Sequence, residues 1–404
     1  MSLHELTAEQ REIRDLAARF ADERIAPRAA GWDREHTFPR DVFAELGALG
    51  LMGVCVPEEH GGAGADFLSY VLVLEELSRA DAGVGVTVAV HTSACTLPLL
   101  AHGGERYVPP LAAGEEIGAF ALTEPGSGSD AAALRTRASD CRLTGTKQWI
   151  TSGSHASTFI VFARDDERSG EASAGGEASS RDRKRVRSGD EAYGRGRTRG
   201  RGIGAFVVRA GAPGFAVTRE EDKLGLHSSS TADLAFEDTP GERLGAPGGG
   251  MRIALATLDG GRIGIAAQAV GIAQAALELA TGYARERSAF GGPIARFQAI
   301  QHKLADMQTE IEAARALTWR AARLKDAGRP HAVEGAQAKL FASAVARRQT
   351  GEAIQVLGGY GYTTAFPAER YYRDAKITEL YEGTSEIQKL VIARALLGDA
   401  MRSG

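Results

Sequence analysis

The sequence predicts an α+β protein in which two helical domains flank a middle β domain. Apolar residues recur every three or four positions up to about residue 116 and again after about residue 241, which is the period of an amphipathic helix. Between these regions, short runs with strand character alternate with Gly, Ser and Pro, which is typical of strands joined by turns. We therefore predict three domains, over residues 1–116, 117–240 and 241–404, because a chain of 404 residues exceeds what one hydrophobic core usually organises.

The N-terminal domain opens with an amphipathic helix. Thr7 and Gln10 have the spacing of a capping box, and the segment DFLSYVLVLEELSRA continues the helical period further along the chain. The first twenty residues lack the basic and then apolar pattern of a signal peptide, so we do not expect secretion.

The middle domain is predicted from six strand-like runs, which read IGAFAL, KQWIT, STFIVFA, IGAFVV, GFAVTR and TADLAFED. Directly after the first run, Gly126, Gly128 and Ala131 match the G-x-G-x-x-A dinucleotide fingerprint. The following residues return quickly to strand-like sequence and place no acidic residue at the ribose position, so a nicotinamide-binding Rossmann site is not predicted.

The C-terminal domain is predicted to be an antiparallel bundle with helices near residues 254–285, 297–325 and 332–357. One apolar face over several turns is traced by Ile300, Leu304, Met307, Ile311 and Leu317.

Composition argues against several classes of partner. The formal net charge of -4 favours neither nucleic acid nor a membrane surface, and no uninterrupted apolar stretch approaches the ~20 residues of a membrane span. Cys55, Cys95 and Cys141 show no paired metal-ligand spacing, so we expect no metal site and reduced thiols in a cytoplasmic protein.

A segment of about residues 165–202 stands apart because it is poor in apolar residues and rich in Arg, Ser and Gly. Such a composition cannot bury enough apolar surface to fold alone. It is either an anion- or nucleic-acid-binding arm or a solvated insertion in a loop between two strands, and we favour the insertion.

A candidate cofactor surface combines a loop rich in hydroxyls and backbone donors, residues 123–130, with the strand end at Trp149, Ile150 and Thr151. This surface would suit a flavin ring. Taken alone, Trp149 could equally be an ordinary core aromatic and the loop an ordinary connection.

Long sequence blocks, ordered along nearly the whole chain, resemble the acyl-CoA dehydrogenase family. They read FALTEPGSGSDA, KQWITS, TLDGGRIGIAAQAVGIAQAAL, RSAFGGPI, QVLGGYGY and AERYYRDAKITELYEGTSEIQ. The resemblance is greatest to the short-chain, butyryl-CoA type. It implies an N-terminal helical domain, a middle β-barrel-like domain and a C-terminal four-helix bundle, with FAD as cofactor.

The resemblance also implies the residues that bind FAD. Those expected at the cofactor are Phe120, Leu122, Thr123, Ser129, Trp149, Ile150, Thr151, Arg287, Phe290, Gln298, Gln355, Gly358, Gly359, Thr384 and Glu386. In the family, the part of this set near Arg287, Gln298 and Gln355 serves the FAD of a neighbouring subunit, which implies a homo-oligomer, commonly a tetramer. Ser152 stands where Asn usually follows the Trp-Ile-Thr run.

The block YEGTSEIQ contains the catalytic candidate. By resemblance, Glu382 removes the α-proton of the acyl thioester, while Ser129, Asp259, Arg262 and Gly383 bind the substrate. Without the surrounding blocks, Glu382 would read as an exposed carboxylate at a helix start, and Asp259 with Arg262 as a structural ion pair.

Some family members place the base before the arginine of the LDGGR block, where this chain has Gly261. Glu382 is thus the only carboxylate at either family position.

The implied reaction is FAD-dependent α,β-dehydrogenation of a short-chain acyl-CoA to the trans-2-enoyl-CoA, in a β-oxidation type of fatty acid metabolism. An electron-transferring flavoprotein is the expected electron acceptor. The alternatives are an acyl-CoA oxidase, a dehydrogenase for branched or medium-length acyl groups, and a non-catalytic flavoprotein scaffold.

Overall fold

The computed structural model describes residues 5–166, 202–398 and 400. The N-terminal region consists of α1 (Ala8–Phe20), α2 (Ala26–Glu35), α3 (Arg40–Ala48), α4 (Phe67–Ala80), α5 (Ala82–Ala89), α6 (Leu97–His102) and α7 (Val108–Ala112), with π-helical turns at Ala21–Ile25 and Val90–Thr96.

The capping box predicted at the start of α1 is confirmed. The Thr7 hydroxyl accepts the backbone N–H of Gln10 at 3.1 Å, and the Gln10 side chain accepts the backbone N–H of Thr7 at 2.9 Å. Aspartates begin the two apolar helices further on: Asp66 caps α4 at 2.7 Å and Asp81 caps α5 at 2.9 Å. Both helices are almost entirely buried, and their apolar side chains belong to the main hydrophobic core.

The middle region is one eight-stranded sheet. Its strands are β1 (Gly118–Ala121), β2 (Arg137–Ser139), β3 (Arg142–Thr151), β4 (Thr158–Asp165), β5 (Ile203–Arg209), β6 (Phe215–Glu220), β7 (Thr231–Pro240) and β8 (Glu242–Leu244). The order is β6-β7-β3-β2-β4-β5-β8, with β1 also pairing with β4 in parallel. All six predicted runs are strands; β2 and β8 were not predicted, since three residues show no recognisable alternation.

The G-x-G-x-x-A match does not open a long helix. A single 3₁₀ turn, Ala131–Ala133, follows it, and β2 begins four residues later. A Rossmann fingerprint opens a long helix directly after its glycines, whereas the described residues here form only this turn before β2, so the match does not have the Rossmann geometry.

The C-terminal region is helical, as predicted. It contains α8 (Gly250–Glu286), a small hairpin of β9 (Ser288–Ala289) and β10 (Gly292–Pro293), then α9 (Gln298–Asp326), α10 (Ala332–Leu357), α11 (Ala368–Ile377) and α12 (Ser385–Leu397). α8 packs against α10, α9 and the N-terminal α4, so the two helical regions share a core. The predicted order of helical, β and helical regions is confirmed.

Two helical stretches, Ala82–His102 and Gly250–Glu286, are long and apolar enough to cross a membrane by length and composition alone. In both, 83% of the most apolar window is buried within the protein. Core helices pass the same test of length and composition, and these two stretches are packed as core helices are.

The Arg-, Ser- and Gly-rich segment falls between β4 and β5, whose ends Arg164 and Ile203 are antiparallel partners. Its residues 167–201 lie outside the described part of the chain, so both interpretations of it stay predictions. Of the three cysteines, which are all free thiols, Cys95 is buried and the other two are half-buried.

Candidate active site

A cavity of about 1160 Å³ lies where the N-terminal helices, the sheet and the C-terminal helices meet. Its walls come from α5 and the π-helical turn after it, the loops and strand ends of the sheet, α8, and the connection between α11 and α12. A cavity of this volume at a domain junction is typical of a site for a large ligand or for two ligands together.

The wall from the sheet contains the predicted flavin surface. The lining residues on this side include Phe120, Leu122, Thr123, Ser129, Trp149, Ile150 and Thr151. The pairing of β3 with β7 shifts register between Lys147 and Ile150, and Trp149 within this bulge has a positive φ of 59°. As a result the indole is 59% exposed toward the cavity side rather than buried, which excludes the ordinary core aromatic.

A buried ion pair supports the loop beneath this wall. Lys147 Nζ donates to the Glu124 carboxylate at 2.8 Å and to the Leu122 carbonyl at 3.0 Å. Glu124 also accepts the backbone N–H groups of Arg135 at 2.5 Å and Thr136 at 3.0 Å. Burial alone would raise the pKa of Glu124, but Lys147 and these donors hold it below its ordinary value.

Ser152 directly follows the predicted flavin surface and has a left-handed backbone conformation. Its φ is 62°, its backbone N–H donates to the Ser230 carbonyl at 2.9 Å, and its hydroxyl is buried without a partner among the described residues. Asn tolerates this conformation better than Ser does, which gives a physical reason for the usual Asn of the family.

Glu382 lines the same cavity from the tight turn between α11 and α12. Both Glu382 and Gly383 have positive φ, 53° and 89°, and Thr384 then caps α12 by accepting the Ile387 N–H at 3.3 Å. Gln388 donates to the Gly383 carbonyl at 2.7 Å and would be 2.8 Å from a Cβ at that glycine. The turn therefore needs glycine at position 383, and α12 holds it in place.

The Glu382 side chain lines the cavity and is half-buried. Its Oε2 is shielded from solvent, and the carboxylate accepts no hydrogen bond from the described residues. A Cβ built on Gly261 would lie 2.7 Å from that oxygen, so the carboxylate occupies the space that the missing side chain leaves on α8. The two positions at which family members place the base are thus adjacent in space.

Burial and two nearby cations determine the pKa of Glu382. Burial raises the pKa of its carboxyl to about 7, while Arg262 and Lys339 oppose the rise. Arg262 is buried and contacts Asp259 Oδ1 at 2.5 Å, so the predicted pair of substrate-binding residues is also an ion pair on one helix. A carboxylate with a pKa near 7 is well suited to accept a proton at neutral pH.

The structure brings eleven of the predicted site residues to one cavity. They are Phe120, Leu122, Thr123, Ser129, Trp149, Ile150, Thr151, Arg262, Glu382, Gly383 and Thr384. Asp259 contacts Arg262 but does not itself line the cavity. Glu386 is exposed on the first turn of α12.

The other predicted residues lie elsewhere. Arg287, Gly358 and Gly359 line a separate surface groove of about 580 Å³, where the Arg287 guanidinium lies 6.0 Å from the Tyr360 ring centre. Phe290, Gln298 and Gln355 are exposed. None of these six residues lines the large cavity, and their expected role at the FAD of a neighbouring subunit stays a prediction.

Sequence reasoning missed Lys339 and Gln388, which are both fully buried and both donate to the Gly383 carbonyl. A signal for Lys339 was present, because a lysine interrupts the apolar face of AKLFASAV. Among the described residues, no group of three or more His, Cys, Asp or Glu side chains is placed to hold a metal ion. The site thus offers a shielded carboxylate, two nearby cations and room for a flat ring.

Comparisons with known proteins cover nearly the whole chain. Family models described as the N-terminal, middle and C-terminal domains of acyl-CoA dehydrogenase match residues 7–115, 119–178 and 248–397. The chain is 48% identical to the mitochondrial short-chain specific acyl-CoA dehydrogenase of Mus musculus, over 97% of this chain and 91% of that protein.

Solved structures agree with these matches. Butyryl-CoA dehydrogenase from Megasphaera elsdenii superposes with a TM-score of 0.88 at 40% identity, covering 97% of this chain and 99% of that one. A chain in a structure reported as the electron transferring flavoprotein of Acidaminococcus fermentans gives a TM-score of 0.89 at 43% identity, covering 98% and 100%.

Proposed function

Because the chain belongs to the acyl-CoA dehydrogenase family, we propose that it dehydrogenates short-chain acyl-CoA thioesters to trans-2-enoyl-CoA, with FAD as cofactor and Glu382 as the base. The similarity to short-chain specific and butyryl-CoA enzymes supports the chain length.

The observation that carries this proposal is the state of the Glu382 carboxylate. It lines a large cavity, its Oε2 is shielded and accepts no hydrogen bond from the described residues, and burial raises its pKa to about 7. A carboxylate that no protein donor satisfies has its acceptor lone pairs available for a substrate proton.

The residues present fit FAD, on which members of this family depend. Trp149 presents an exposed indole from the bulge in β3, and Phe120, Thr123 and Ser129 line the same wall. We assign the flavin ring to this wall and Thr384 to its edge. A planar aromatic group there would lie across the cavity from Glu382.

The proton step follows from the residues of the chain. A hydrogen α to a thioester carbonyl is only weakly acidic, so its removal needs a base of raised pKa in a site that excludes water. Glu382 takes this proton as the α C–H bond breaks, and the released electron pair forms the new α,β double bond. Bound FAD supplies the acceptor for the hydride that leaves the β-carbon.

Arg262 and Lys339 oppose the rise in the pKa of Glu382, and Gly261 leaves room for its carboxylate. Asp259 orients Arg262 through their contact along α8.

Anaerobic titration with butyryl-CoA tests the function. The flavin of the purified protein should bleach as one equivalent is added, and the trans-2-enoyl product should appear in step with the loss of colour. A series of straight and branched acyl-CoAs, measured in the same way, sets the chain length. A flavin that stays yellow with every acyl-CoA would overturn the proposal.

The electron acceptor is proposed to be an electron-transferring flavoprotein, in keeping with the structural likeness noted above. The alternative is an oxidase. Oxygen consumption during turnover with butyryl-CoA, compared with reduction of an added electron-transferring flavoprotein, separates the two acceptors.

We further propose that the protein is a cytoplasmic homotetramer. The surface groove around Arg287 and the exposed aromatic side chains of Phe290, at 90%, and Tyr362, at 84%, support a subunit interface, since such side chains seldom stay in water. Sedimentation of the flavin-loaded protein tests the assembly, and fractionation of the native cells tests the location.

A further inference from the structure

Lys339 is a fully buried lysine in the middle of α10, with Ala338 and Ala342 beside it on the same helix. Burying an ammonium group carries a large desolvation penalty, and burial lowers the pKa of Lys339 to about 8. Such a residue is kept only where its charge or its hydrogen bond has a use. The proton step above does not require it to touch the substrate.

The hydrogen bond of Lys339 goes to the turn that carries Glu382. Its Nζ donates to the Gly383 carbonyl at 2.8 Å, and Gln388 Nε2 donates to the same oxygen at 2.7 Å and to the Glu382 carbonyl at 3.2 Å. Two buried donors on different helices, α10 and α12, therefore fix one carbonyl of a turn with two positive φ angles.

The charge of Lys339 acts on the Glu382 carboxylate through space. The contacts of the described residues include no direct ion pair between the two side chains, yet they interact electrostatically across a buried region. Arg262 on α8 is the other cation that faces Glu382. Tyr70 on α4 and Tyr381 on the turn also face it, and Glu379 and Glu386 face Lys339 from the ends of α11 and α12.

We propose that Lys339 is a positioning residue for Glu382: its hydrogen bond fixes the turn at Gly383, and its ammonium favours the ionised form of the Glu382 carboxylate. The inference rests on the proposed function, because it assigns Lys339 to the base of that reaction. Gln388 is the natural comparison, since it holds the same carbonyl without a charge.

The experiment measures the ionisation of Glu382 directly in the flavin-loaded protein. Infrared difference spectra between about pH 5 and about pH 9 follow the carboxyl band that Glu382→Gln removes. Lys339→Gln keeps a donor for the Gly383 carbonyl and removes the charge, Lys339→Arg keeps the charge, and Gln388→Met removes the uncharged donor. The rate of anaerobic flavin bleaching by butyryl-CoA is recorded on the same samples.

Loss of the Lys339 charge should raise the midpoint of the Glu382 band by about one pH unit, which leaves about tenfold less ionised Glu382 below the midpoint. The bleaching rate in Lys339→Gln should fall by the same factor at about pH 6 and recover at about pH 9. Lys339→Arg should keep the native midpoint, and Gln388→Met should slow bleaching at every pH without moving the midpoint.

The inference is overturned if the midpoint of the Glu382 band in Lys339→Gln equals the native midpoint. It is also overturned if Gln388→Met shifts the midpoint by the same amount as Lys339→Gln. Either result would show that Lys339 has only a structural role. Bleaching that survives in Glu382→Gln would instead overturn the proposed function. The two failures are therefore distinguishable.

Discussion

Glu124 lies beneath one wall of the large cavity and Glu382 lines it, and the pKa values of these two glutamates are shifted in opposite directions. Glu124 accepts three hydrogen bonds, one of them from Lys147, and its pKa is lowered. Glu382 accepts none from the described residues, its nearest cations act from a distance, and its pKa is raised to about 7. The comparison teaches that donors in contact, more than burial, decide whether a carboxylate is a fixed support or an available base.

Glu382→Gln should have the largest effect, because it removes the proposed base while keeping the size of the side chain. The rate of anaerobic flavin bleaching by butyryl-CoA should fall on the order of 10²- to 10⁴-fold. Stopped-flow absorbance measures it. Glu124→Gln serves as the control for loss of a buried carboxylate, and a Glu382→Gln rate within about tenfold of the native rate would refute the assignment.

Lys147→Met should leave the Glu124 carboxylate as a buried charge without its ion-pair partner. Removing one partner of a buried ion pair costs about 3–5 kcal/mol of unfolding free energy, so the midpoint of urea unfolding should fall markedly. The double variant Lys147→Met with Glu124→Gln should recover part of this loss. An unchanged unfolding midpoint in the single variant would mean that the pair contributes nothing to the loop.

Gly261→Ala should displace the Glu382 carboxylate, because the added Cβ would lie 2.7 Å from its Oε2. A displacement of this kind costs about 10²-fold in bleaching rate. The matched control is Gly260→Ala on the same helix, where the nearest atom is the flexible Lys325 Nζ at 3.4 Å. Equal losses in both variants would mean that the helix backbone, and not the space for Glu382, limits the rate.

Asp374 is another buried carboxylate: among the described residues only the Leu226 N–H donates to it, at 2.6 Å, and burial raises its pKa to about 7. Since the folded pKa exceeds the unfolded value, its contribution to stability is full below about pH 4 and is lost as pH rises through about 7. Asp374→Asn keeps the acceptor and removes this loss. Relative to the native chain, the unfolding free energy of the variant should be higher at pH 8 than at pH 4 by about 4 kcal/mol, measured by urea unfolding.

The prediction is wrong if Asp374→Asn and the native chain differ in unfolding free energy by the same amount at pH 4 and at pH 8. It would mean that Arg370, which also faces Asp374, already compensates the charge.

Much of the fold was predictable because its signals are local. The capping box at Thr7 and Gln10, the three long C-terminal helices and six of the strands are set by residues close together in sequence. The short strands β2 and β8 were missed because three residues form strands only through pairing with distant partners.

The site was predictable in its parts and not in its arrangement. The motif blocks predicted that Glu382 and the flavin surface belong to one site, and both line the same cavity. No sequence period indicates that the space over Gly261 receives the Glu382 side chain. Lys339 and Gln388 were missed for the same reason, because their common acceptor, the Gly383 carbonyl, lies on a turn whose path only the packed structure shows.

Exchange of the α-hydrogens of acetyl-CoA with deuterium from solvent tests the role of Glu382 most directly, since this thioester has no β-hydrogen to transfer and reports on the base alone. Mass spectrometry follows the exchange at several pH values in the flavin-loaded protein. Exchange should rise through about pH 7 in the native chain and be lost in Glu382→Gln. Undiminished exchange in Glu382→Gln would contradict the account.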